Sequence, residues 1–94
     1  MKQPTDEQTI TLGLMAESLM NDDAFNELYE LVEDRIAKEI LATPLADKET
    51  RELLYQTYNG MRAFVQYINQ FRTAKDQVVE RLNAENEEKE HEDY

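Results

Sequence analysis

The chain has a single histidine, His91, three residues after Glu88. That Glu-x-x-His spacing is the ligand pair of carboxylate-bridged di-metal bundles, which need matching pairs projecting inward from facing helices. Here it occurs once, inside "NAENEEKEHEDY" at residues 83–94, and the chain holds no second copy. In a stretch so poor in apolar residues, the pair reads as a solvated charge run, and no metal or other cofactor is expected. The sequence has no cysteine, no Gly-rich phosphate loop and no dinucleotide fingerprint. Its 21 acids make neighbouring carboxylates inevitable, and none has the apolar surroundings that tune a pKa for acid–base work. The expectation is a protein that is not an enzyme.

The aromatic residues offer a second chemistry. Tyr55, Tyr58, Phe64, Tyr67 and Phe71 share a segment with Arg51, Arg62 and Arg72, as the parts of a base-stacking platform would. Such platforms need a positively charged groove for the nucleic-acid backbone. This chain has 21 acids against 10 bases, a net charge of −11. Direct nucleic-acid binding is therefore not expected. The aromatic residues read instead as helical core edged by amphipathic tyrosines, with Tyr and Arg as natural anchors of a protein interface.

Helices must position these groups. With 94 residues and only two glycines and two prolines, the composition favours one all-α domain. Helix A is expected over about 7–20, capped by Thr5 or Asp6, with Gly13 either a weak point or a place of close packing. Helix B is expected over about 23–42, where Phe25, Leu28, Tyr29, Val32, Ile36 and Ile40 keep helical spacing. Thr43-Pro44 then stops it, and Asp47 caps helix C over about 48–82. On helix C, Leu54, Tyr58, Met61, Val65 and Ile68 form a four-three seam. A strict heptad would next place Arg72 and Lys75 on it, whereas the apolar residues drift to Phe71, Ala74, Val78 and Leu82. Leu53, Tyr55, Phe64 and Tyr67 lie off the seam and ask for another neighbour.

The expected fold is a long antiparallel helical hairpin of B and C with the shorter helix A, a single helical domain over 1–82. Helix B spans ~30 Å and helix C ~52 Å, so about 20 Å of helix C outruns B. Helix A or another chain must cover that overhang, and A is expected to cover only part of it. The interface candidates are accordingly Tyr67, Ile68, Phe71, Arg72, Lys75, Val78, Val79 and Leu82. Residues 83–94 carry six acids and one lysine, a net of −5, and are expected to form a disordered acidic tail. No apolar run reaches the ~18 residues of a membrane span. The opening "MKQPTD" reads as a frayed start, and "MKQPTDEQTITLGLM" reads as a poor secretion signal.

The order "LMNDDAF…YELVEDRI…ILATPLADKETRELLYQTYNGMRAF", over roughly residues 19–71, resembles small acidic helical-hairpin proteins of tailed bacteriophages. The resemblance implies a hairpin fold and a phage setting, and it transfers no active site. The expected function is a non-enzymatic protein–protein interaction protein that self-associates, a phage assembly or head-accessory protein. Its expected location is the cytoplasm, the host's if phage-encoded, or the virion. The alternative is an acidic inhibitor, or DNA mimic, that occupies a host nucleic-acid-binding protein. Glu27, Glu30, Glu33 and Asp34 of helix B would then imitate phosphates, and the partner would be basic.

Overall fold

The computed structural model describes residues 3–92, with side-chain exposure for residues 3–89. Three helices and no strand occur among the described residues: α1 (Asp6–Met20), α2 (Asp23–Ala42) and α3 (Lys48–Glu92). Each helix begins at a side-chain cap. Before α1, the Gln8 amide donates to Thr5 Oγ1 at 3.1 Å and the Thr5 amide donates to Gln8 Oε1 at 2.9 Å. This reciprocal box satisfies two amides that the first turn leaves free. Asp22 caps α2 by accepting from the Ala24 amide at 2.9 Å, and Asn26 Nδ2 donates to the Met20 carbonyl at 2.9 Å. Asp47 caps α3 by accepting from the Thr50 amide at 3.1 Å.

The corner between α2 and α3 is built as the sequence predicts. Thr43 is extended (φ −70°, ψ 129°), as a residue before proline prefers, and its hydroxyl donates back to the Glu39 carbonyl at 2.7 Å. Arg51 Nη2 reaches back to the Pro44 carbonyl at 3.0 Å, which ties the first turn of α3 to the turn before it.

The expected end of helix C at Leu82 is a correction, and residues 93–94 of the expected tail lie outside the described residues. Helix α3 continues ten residues past the expected end at Leu82, to Glu92. The tail was assigned from its lack of apolar residues, which bears on packing. Helix continuation depends on local propensity, and Ala84 and the run of Glu and Lys are good helix formers with no breaker among them. Residues 83–89 are all exposed, so this extension rests on its own backbone hydrogen bonds.

The chain divides into two compact units. One comprises the residues up to Leu19 with those from Ile68 onward, that is α1 and the second half of α3. The other is Met20–Tyr67, that is α2 and the first half of α3. In the first unit, α1 takes the place beside the far half of α3, with Asp6 bonded to Arg81 at 2.5 Å and Glu17 bonded to Lys75. Its buried residues are small, Gly13 and Ala16. A Cβ added to Gly13 would lie 2.9 Å from both Lys75 Cγ and the Phe71 carbonyl oxygen, and closer still to Lys75 Cβ. Glycine is thus what lets α1 approach the α3 backbone here. In the second unit the buried hydrophobic residue is Ile36, flanked along α2 by half-buried Phe25, Tyr29 and Ile40. On α3, Leu54, Tyr58, Met61 and Val65 are half-buried, the four-three seam read from the sequence.

Two outcomes follow from these contacts. Gly13→Ala gains ~1 kcal/mol of helix propensity but overfills the crossing, and urea denaturation is expected to show a net loss of about 1–3 kcal/mol. Asp47 is held below its usual carboxylate value by the hydrogen bond from Thr50. Its contribution is therefore present above the unfolded value of about 3.9 and lost as pH falls through the lower folded value. Asp47→Ala lowers the melting temperature at neutral pH, and its gap from wild type closes in strong acid.

Candidate interaction surface

The eight interface candidates fall into two groups. Tyr67 (65% exposed), Phe71 (48%), Arg72 and Val79 (37%) are open to solvent. Ile68, Lys75, Val78 and Leu82 are half-buried. The second group occupies positions 68, 75, 78 and 82, one stripe at helical spacing, and Lys75 on it is engaged by α1. The far half of α3 is thus not one free surface.

Lys75 occupies the place a strict heptad assigns it. Its side chain is only 12% exposed, its stem lies against Gly13, and its ammonium bonds Glu17 and approaches Asp76 at 3.3 Å. The hydrogen bond to Glu17 raises the lysine pKa above its usual value, outweighing the lowering by partial desolvation. Sequence reasoning passed over this pair because a charged residue on an apolar seam looks like the seam's end. Gly13, four residues before Glu17, was the available signal: a gap for the stem and a carboxylate for the head.

The second unit presents more apolar surface than it covers. Leu28 (63% exposed), Leu31 (59%) and Val32 (44%) stand out on α2, and Leu53 (63%), Phe64 (58%) and Tyr67 on α3. Arg62 stacks over the Tyr58 ring at 5.8 Å, and Phe25 meets Tyr29 at 6.2 Å between centroids. A hollow of about 300 Å³ lies between Ala37, Ile40 and Leu41 of α2 and Tyr55 and Tyr58 of α3. Its lining carries no carboxylate, amide or basic group that would orient a small ligand.

The acids of α2 do not form a bare array. Glu27 and Glu30 are exposed, but Glu33 is half-buried, Asp34 pairs with Lys38 at 2.8 Å and Glu39 with Arg35 at 3.6 Å. Among the described residues no cluster of three or more metal-ligating side chains forms. The His91 side chain lies outside the described residues. No helix among the described residues is long and apolar enough to cross a membrane.

Compared with protein-family models, curated proteins and solved structures, the chain matches none.

The Lys75–Glu17 pair sets an alkaline limit. Because the folded lysine value is raised, its stabilisation is full below the unfolded value of about 10.4 and is lost as pH rises through the folded one. Tyr29, raised by burial and by the nearby Glu33, loses stability in the same direction. Glu17→Gln is expected to flatten the decline in melting temperature above about pH 10, leaving the Tyr29 part. An unchanged profile would mean that the pair is not formed in solution.

Proposed function

We propose that this chain is a non-enzymatic interaction protein that works as a self-associated helical assembly. The observation that carries the reading is the imbalance of burial. Among the described residues, two hydrophobic side chains are buried, Ala16 and Ile36, and fourteen large ones are exposed. Chains below ~70–80 residues seldom stabilise themselves from one core, and each unit here is smaller than that. With no cysteine, neither disulfides nor thiolate metal sites can supply the shortfall. Association of copies can, because it covers the same apolar side chains.

In this reading α2 and the first half of α3 form an antiparallel hairpin. Tyr29 lies near Arg62 and Tyr58, and Ala37 to Leu41 share a hollow with Tyr55 and Tyr58, so residues later on α2 meet residues earlier on α3. The hairpin would be the building block of the assembly. The likeness of residues 19–71 to phage hairpin proteins gives it a setting, assembly or accessory work in the host cytoplasm or on the virion.

The second reading, an acidic protein that occupies a basic nucleic-acid-binding partner, draws on the exposed Glu27 and Glu30. Salt separates the two. Copies of a −11 chain repel one another, so added salt strengthens self-association, whereas it weakens binding to a basic partner. Light scattering is expected to give a mass above 11.1 kDa that rises with concentration and with salt. A strict monomer at high concentration and high salt would overturn the assembly reading.

A further inference from the structure

A second seam runs along α3 beside the one that packs inward. Leu53, Thr57, Gly60, Phe64 and Tyr67 follow four-three-four-three spacing, one residue behind Leu54, Tyr58, Met61, Val65 and Ile68. Four-three spacing is the pattern by which a helix takes the side chains of another helix into its gaps. All five residues of this second seam are exposed.

Gly60 is unexplained by the contacts of its own chain. A Cβ built on it would meet nothing within 4 Å. In a helix interior glycine costs stability relative to alanine, and nothing in the monomer requires its absence of a side chain. Gly13 has a neighbour that fills its gap, whereas Gly60 has the gap and no neighbour. Thr57 also suits a dry contact, since its hydroxyl donates to the Leu53 carbonyl at 2.9 Å and needs no outside partner.

The seam is graded in size. Thr57 and Gly60 are small, and Phe64 and Tyr67 are large. A second copy of the seam running the opposite way sets Gly60 against Phe64 and Thr57 against Tyr67, both pairs summing to the same register. Small then meets large in the four layers from Thr57 to Tyr67, with Leu53 outside them. A parallel copy would set Phe64 on Phe64 and leave Gly60 facing Gly60.

Charge points to the same occupant. From Leu53 to Tyr67 the only charged residue is Arg62, a net of +1, so the rest of the chain carries −11 − 1 = −12. Two copies repel each other nearly everywhere except along this stretch. Its polar residues include Gln56, Asn59 and Gln66, whose amides both donate and accept and so can pair with their own kind.

The patch reaches onto α2. Turning about each helix from its packed side, the 100° step per residue carries Leu28 and Val32 to the same side of the hairpin as Gly60, Phe64 and Tyr67. Five large side chains, Leu28, Val32, Leu53, Phe64 and Tyr67, are exposed there by 44–65%. At roughly 100 Å² each they offer about 500 Å² per copy and about 1,000 Å² per pair, the least that a specific interface needs.

We infer that this face binds a second copy of the chain, with α3 lying antiparallel on α3 of its partner across the Leu53–Tyr67 seam, so that two hairpins close a four-helix bundle. The inference rests on the self-association and hairpin reading above and names its interface. Sedimentation of the full chain across concentration reads the association, and far-ultraviolet circular dichroism reads folding. Gly60→Leu fills the gap that takes Phe64, so the dissociation constant rises at least tenfold while helix content is unchanged, because the added side chain meets open space. Adding Phe64→Ala to Gly60→Leu inverts the size grading and recovers part of the loss. The chain has no native cysteine, so single-cysteine variants give an unambiguous orientation. Under mild oxidation, a mixture of T57C and Y67C chains forms a covalent dimer, and neither variant does so alone. Association undisturbed by Gly60→Leu would overturn this interface and leave self-association standing. T57C chains that link to themselves would overturn the antiparallel pairing. A wild-type chain that stays monomeric at high salt would overturn both the interface and the reading it rests on.

Discussion

The approach of α1 to α3 at Gly13 is the contact on which the first unit depends. No large hydrophobic side chain is buried there. What is buried is Gly13 and Ala16 on one helix, facing the stem of Lys75 and the backbone at Phe71 on the other. Two small residues at i and i+3 let the helices come close, and closeness supplies dispersion contacts that bulky side chains would otherwise supply. The lysine then lies along the gap as an aliphatic rod and delivers its charge to Glu17 at the rim, as long cationic side chains do. Such a pair adds little net stability, because desolvation offsets much of the attraction. It does fix register, since sliding α1 by a turn would part the carboxylate from the ammonium and press a side chain into the gap.

The second unit is held by a different kind of contact. Ile36 and the half-buried Phe25, Tyr29, Leu54, Tyr58, Met61 and Val65 form an ordinary apolar seam, reinforced by Arg62 over Tyr58. One seam between two helices covers about a third of each helix surface. Leucines and aromatics continue around both helices beyond that third, which one pair of helices has no means to bury. The contrast explains why the exposed large hydrophobics are weighted toward this unit, with nine of the fourteen between Leu28 and Tyr67.

Caps and corners were legible in the sequence because their chemistry is local. Thr5 and Asp47 each satisfy an amide three residues away, and Pro44 acts on its immediate neighbour. The packed seam of α3 was legible as far as Ile68, where apolar identity and heptad position coincide. Past that point they separate, and Lys75 stands at a seam position that only the gap at Gly13, 62 residues earlier, makes habitable. A contact of that separation leaves no periodic trace on either helix alone. The end of α3 was missed for a different reason. Apolar poverty argues against packing, but a run of Glu, Ala and Lys without a breaker propagates a helix that packs on nothing. The off-seam residues Leu53, Phe64 and Tyr67 were visible as wanting a neighbour, and the significance of Gly60 among them emerged only with the open space around it.

High net charge and a broad apolar face act together in this chain. The charge opposes indiscriminate aggregation, because two approaching copies repel each other before their apolar groups can touch. Repulsion between copies fades where acids are absent, and α3 between Leu53 and Tyr67, with Arg62 its one charged residue, is a long stretch that meets that condition. In the proposed assembly, association would thereby be restricted to one face without any attractive ion pair to select it, a specificity that comes from penalising the other arrangements. Glu85, Glu87 and Glu88 extend the same logic: on an exposed helical extension, they add repulsion away from the apolar seam and would leave the proposed association to the face that has one.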